Sequence, residues 1–137
     1  MNITVKQMQG KVPVTILQTH GDLDASNYQD LIAKGQEVYQ AGARDILLDM
    51  SDTDFMGSSG LAALHSLALM VRGEALPDLE SGWNVFHEID RARDSGLQQH
   101  LKLLNPQPQI NRTLEMTGLK QFFEIYTDLE TAVASFS

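Results

Sequence analysis

Apolar residues recur along this chain with two different spacings, and the spacing assigns the elements. Ile3-Thr-Val-Lys-Gln and Pro13-Val-Thr-Ile-Leu-Gln-Thr19 are short runs rich in β-branched residues, separated at Gly10-Lys11. They predict two strands joined as a hairpin. Ser26-Asn-Tyr-Gln29 has the serine-to-glutamine spacing of a capping box, and Tyr28, Leu31, Ile32, Val38 and Tyr39 then follow at helical spacing to a stop at Gly42. Asp45-Ile-Leu-Leu-Asp-Met50 is a short buried strand. Leu61, Leu64, Ala68 and Val71 line one face of a second helix that ends at Gly73.

The same alternation continues to the end of the chain. Leu101-Lys-Leu-Leu104 predicts a strand, Pro106 to Thr117 a helix stopped by Gly118, and Phe122-Phe-Glu-Ile-Tyr126 a last strand. Thr127-Asp-Leu-Glu130 is a second capping box, with Leu129, Ala132, Val133 and Phe136 on the helix behind it. Strands separated by helices need crossover connections, so the sheet is mostly parallel and made mixed by the opening hairpin. The fold class is α/β, in one domain spanning 1–137.

Glu74 to Gln99 interrupts this rhythm, with about twenty residues more than a connection normally uses. It holds the sole tryptophan, Trp83, with Phe86, Ile89 and Leu97 among Glu88, Asp90, Arg91, Arg93 and Asp94. Pro77-Asp78 is a helix start that would put Trp83 and Phe86 on one face. Two readings stand: the aromatics pack onto the domain, or they form a partner or dimer surface.

Composition narrows the function classes. The chain has 137 residues, 42% of them hydrophobic, and no cysteine, which suits a folded domain in a reducing compartment. No secretion-type apolar segment and no run of transmembrane length is present, so a cytoplasmic location is expected. A formal charge of −8 argues against nucleic-acid binding, which draws its affinity from Lys and Arg. Asp22, Asp24, Asp49, Asp52 and Asp54 form an acidic group, but their spacing fits no EF-hand. His20, His65, His87 and His100 are scattered, with no His-Glu-x-x-His pair. No metal and no cofactor is expected.

The chemistry concentrates at Asp52-Thr-Asp-Phe-Met-Gly-Ser-Ser-Gly-Leu61, a strand-to-helix corner. The first N–H groups of a helix lack intrahelical partners, and two hydroxyls, Ser58 and Ser59, stand at that electropositive end. They can cap the helix, or one can carry a phosphate whose anion meets those donors. A hydrolase elbow, Gly-x-Ser-x-Gly, fails: Ser59 has Gly57 two positions before it but Leu61 two after, and Ser58 lacks both glycines. Gly57-Ser-Ser-Gly60 also lacks the lysine of a P-loop, and no histidine stands in a recognisable triad context. A non-enzymatic protein is expected.

Phe55-Met56-Gly57-Ser58-Ser59-Gly60-Leu61 resembles the signature of the STAS domain, the fold of anti-sigma factor antagonists. That signature reads aromatic-Met-Asp-Ser-Ser/Thr-Gly-Leu, and Gly57 stands where the family usually has Asp. Gly21-Asp22-Leu23-Asp24 resembles the family's Gly-x-Leu-Asp turn after the second strand. Leu114-Glu-Met-Thr-Gly-Leu119 with Phe122 resembles its Leu-x-x-Ser/Thr-Gly-Leu segment. The resemblance implies helices mainly on one face of a small sheet, with 74–99 as an insertion after the second helix. It implies phosphorylation of Ser58, with Ser59 the alternative, by a histidine-kinase-like serine kinase or anti-sigma factor. It further implies a partner surface made of Gly21, Asp22, Asp24, Ser26, Phe55, Met56, Gly57, Ser58, Ser59 and Gly60. A phosphatase and a homodimer remain open as further partners. The competing reading is a STAS-fold scaffold of a sensory complex, or a soluble accessory subunit of a membrane transporter, without phosphorylation.

Overall fold

A computed structural model of the chain describes residues 1–73 and 97–137. Their elements run β1 (Asn2–Gln9), β2 (Pro13–His20), α1 (Tyr28–Gln40), β3 (Ile46–Asp52), α2 (Ser58–Val71), β4 (Leu101–Leu104), α3 (Pro108–Thr117), β5 (Ile125–Tyr126) and α4 (Leu129–Ala134). A short 3₁₀ turn over Leu119–Phe122 joins α3 to β5. The strands lie in chain order in one sheet, with β1 antiparallel to β2 and the remaining pairs parallel. The expected mixed, mostly parallel sheet is observed. Of the expected insertion, 74–96 lie outside the described residues.

The period of two along the strands divides the interior into two cores. Leu17, Ile46, Leu48, Met50, Leu101 and Leu103 point to the face covered by α1, α2 and α3. Val14, Ile16, Leu47 and Leu104 point to the other face, where Ala132 and Val133 of α4 and the following Phe136 cover them. Helices therefore lie mainly on one face, as expected, and β3 opens with three consecutive buried apolar residues, Ile46 to Leu48, because both of its sides are covered there. α2 is buried over most of its circumference rather than along one stripe.

Several predicted boundaries move. Pro108, not Pro106, opens α3, because proline's missing N–H and fixed φ suit the first helical position. Gly118 stops α3 in the left-handed region, at φ 76°, as expected. Leu119 to Phe122 then continue as the 3₁₀ turn, so the last strand shrinks to Ile125–Tyr126. α4 is capped by Asp128, whose carboxylate accepts the Thr131 N–H at 2.9 Å, rather than by Thr127 with Glu130. Aspartate caps at least as well as threonine, and it sits one residue closer to the helix.

Candidate functional site

β2 and β3 are parallel neighbours that end at His20 and Asp52, so the loops that follow leave the same edge of the sheet side by side. Backbone hydrogen bonds then tie them together. The Gly21 N–H donates to Asp52 O (3.0 Å), the Leu23 N–H to Phe55 O (2.9 Å) and the Gly57 N–H to Leu23 O (3.0 Å). The last two make Leu23 and Met56 an isolated parallel bridge. Both side chains are buried in the larger core, which fixes the loops from below. Two sequence motifs more than thirty residues apart thus form one surface.

The turn after β2 is held by its own polar side chains. The Asp24 carboxylate accepts the Ser26 hydroxyl (2.5 Å) and the Ser26 N–H (2.9 Å). These bonds hold the Asp24 carboxyl below its ordinary value of 3.8. This contribution to the turn is present above the ordinary carboxylate range and is lost as pH falls through the lower folded value. Asn27 Oδ1 accepts the Asp24 N–H (2.9 Å), and its amide donates to Asp22 O (2.7 Å). The capping box expected at Ser26 is therefore not formed: Asn27 precedes α1 without a side-chain cap, and Asp24 captures the serine. An Asx turn outcompetes the box because its acceptor is ionised and two residues away.

At the second loop the N-cap is Gly57, extended at φ −86° and ψ −174°. Its carbonyl accepts the N–H groups of Gly60 (3.0 Å) and Leu61 (3.4 Å). Ser58 and Ser59 lie one step further in, as the first two residues of α2, and neither hydroxyl caps the helix. The capping expected of them is corrected, because a cap needs the non-helical backbone that Gly57 holds here. Ser58 is exposed, Ser59 is half-buried, and Phe55 beside them leaves 42% of its surface in solvent. An exposed hydroxyl, a helix N-terminus and an exposed aromatic ring therefore share one corner.

The STAS domain family model matches residues 5–75, a span that includes both loops and α2. The chain belongs to the STAS family. No curated protein matches the sequence significantly. Among solved structures, an anti-sigma factor antagonist from Mycobacterium paratuberculosis is similar at a TM-score of 0.64 and 19% identity, over 98% of this chain and 93% of that one. A putative anti-sigma factor antagonist from Thermotoga maritima is similar at 0.63 and 19%, over 95% and 90%. The phosphorylated form of SpoIIAA, a Bacillus cell fate determinant, is similar at 0.53 and 17%, over 96% of each chain. These likenesses establish the fold.

Within this STAS domain two of the other acidic side chains, Asp49 and Asp52, have local partners. Asp49 accepts the Ser51 N–H (3.0 Å), and Asp52 meets His20 Nδ1 (2.5 Å). His20 Nε2 in turn meets Thr4 Oγ1 (2.8 Å), so a hydroxyl–imidazole–carboxylate row that the sequence did not reveal joins the ends of β1, β2 and β3. Thr19 and Thr53, both fully buried, share a hydroxyl contact of 2.6 Å, and Thr53 Oγ1 also donates to Thr19 O (3.1 Å). Nothing in the spacing of these threonines announced the pair, because their separation of 34 residues is closed only by strand pairing.

Gly60 packs tightly against the side chains of the Leu23–Met56 bridge. A Cβ there would overlap Met56 Cγ and press on Leu23 Cδ2 at 3.1 Å. Gly60→Val is expected to destabilise the fold by about 1–3 kcal/mol through overpacking. Urea unfolding monitored by circular dichroism checks this, and an unchanged midpoint would show that Met56 and Leu23 can move aside.

Proposed function

We propose that this STAS-family chain is a non-enzymatic regulatory protein of the bacterial cytoplasm that works by partner switching. In its unphosphorylated form it binds an anti-sigma factor or related serine kinase through the Gly21–Ser26 turn and the corner Phe55–Gly60. Phosphorylation of Ser58 ends that binding. The supporting observation is the exposed Ser58 hydroxyl at the start of α2, with the exposed Phe55 ring beside it. A phosphate there adds about −1.5 to −2 charge and bulk to a contact surface. Pull-down from native extract with the full chain tests the reading: an ATPase of the histidine-kinase type should be recovered, and should phosphorylate Ser58 when ATP is added. Phosphate on Ser59 alone would refute the assignment of the residue.

Gly57 favours a second reading, a scaffold or transporter-accessory role without phosphorylation, because it lacks the carboxylate of the family signature. The geometry makes the comparison clean. At φ −86° an aspartate is unstrained, and its Cβ would meet only the Phe55 ring at 3.5 Å. Gly57→Asp is therefore expected to keep the fold and to stabilise it by a few tenths of a kcal/mol as a better N-cap. Phosphorylation by the recovered kinase should rise in this variant. Equal rates in a folded variant would mean that the carboxylate plays no part in recognition.

A further inference from the structure

We propose that Gln109, on the first turn of α3, is the positioning residue of the Ser58 corner. Leu23 uses its N–H and carbonyl to hold Phe55 O and the Gly57 N–H, which leaves the intervening Met56 N–H facing away from the turn. That N–H donates to Gln109 Oε1 at 3.0 Å, across 53 residues of sequence. The Gln109 amide is itself fixed: its Nε2 donates to Thr113 Oγ1 (2.9 Å), and the Thr113 hydroxyl donates to Gln109 O (3.0 Å). Thr113 thus sets which end of the amide faces the corner. Two residues earlier, Gln107 Nε2 donates to Ser51 O at 2.7 Å. The start of α3 therefore grips the chain at both ends of 51–56, between β3 and the serines.

Met56 is buried, so removing the acceptor of its N–H leaves an unpaired donor that favours local opening of this loop ahead of the sheet. With Gln109 in place, Ser58 is presented from a backbone held on both sides, by Leu23 and by α3. Without it, α3 still holds Ser51 through Gln107, but at Met56 only the Leu23 side remains. The functional consequence rests on the switching reading above; the restraint itself does not.

Amide hydrogen exchange on the full chain tests the restraint. Gln109→Ala should speed exchange at Met56 about tenfold or more, while β3 amides such as those of Leu47 and Leu48 change by less than about twofold. Gln109→Glu keeps an acceptor for the Met56 N–H and should retain most of the protection. Unchanged exchange at Met56, or acceleration spread evenly through the sheet, would overturn the assignment, as would equal loosening in the Glu variant. With the kinase recovered by wild-type pull-down, Gln109→Ala should lower the rate of Ser58 phosphorylation about tenfold, and an equal rate would overturn the functional half. Failure of wild type to recover a kinase would sink the switching reading alone, because the exchange data decide the hydrogen bond independently.

Discussion

Ser58→Asp is expected to weaken partner binding by a few kcal/mol, on the order of a hundredfold or more in Kd, without weakening the fold. The two effects separate because the residue occupies two environments. In the free protein Ser58 is exposed on the first turn of α2, where an acidic side chain gains about 0.3–1 kcal/mol from the helix dipole. In the complex the same carboxylate would be buried against a partner surface shaped for a hydroxyl, and an unpaired buried charge is costly. Ser58→Ala should bind as wild type does and take up no phosphate. Ser59→Ala, expected from the sequence to remove a cap, should change stability by less than about 0.5 kcal/mol, because Gly57 is the N-cap and Ser59 makes no capping bond. Calorimetric titration against the recovered partner, with thermal unfolding in parallel, reads both quantities. A Ser58→Asp protein that binds with unchanged Kd would place the contact surface elsewhere.

Lys102→Ala is expected to destabilise the domain by about 3 kcal/mol, the low end for breaking a buried ion pair, since Glu124 keeps some access to water. Lys102 is a buried cation inside the strand run Leu101–Leu104, on the face covered by α4. Its Nζ meets Glu124 at 2.6 Å and donates to Ser135 O (3.0 Å) and Ser135 Oγ (3.1 Å). It also lies 4.7 Å from the centre of the Phe136 ring. Ser135 is the C-cap of α4, so the charge closes the negative end of that helix. Removing it leaves the Ser135 carbonyl and the Glu124 carboxylate without their cation. Lys102→Met keeps the apolar stem and should cost clearly less, which separates lost packing from lost charge. Equal losses in the two variants, measured by urea unfolding, would assign the effect to the charge alone.

How much of this was readable beforehand differs by residue. The strand beginning at Ile46 is legible because burial on both faces writes the apolar run Ile46–Leu48 into the sequence itself. Gly118 was legible because a left-handed helix stop strongly favours glycine. The serine corner and the Gly21–Asp24 turn were legible as motifs, and the bridge between Leu23 and Met56 explains why they occur together. The capping boxes expected at Ser26 and Thr127 do not form, since the same short polar pattern serves an Asx turn or a neighbouring cap equally well. Local spacing names the candidates for a hydrogen bond, and neighbouring acceptors choose among them.

Sequence alone determined the order of strands and helices, the hairpin opening, and the place of Ser58 at the start of a helix, because periodicity and turn chemistry act over a few residues. Only the tertiary structure decided that α4 covers the second face of the sheet, that Lys102 is buried beneath it, and that Gln109 reaches the Met56 N–H. Those contacts join residues tens of positions apart. A polar side chain carries no mark of which distant backbone group it will meet. Its partner is set by how helices settle on the sheet, when every buried donor and acceptor has to be satisfied at once.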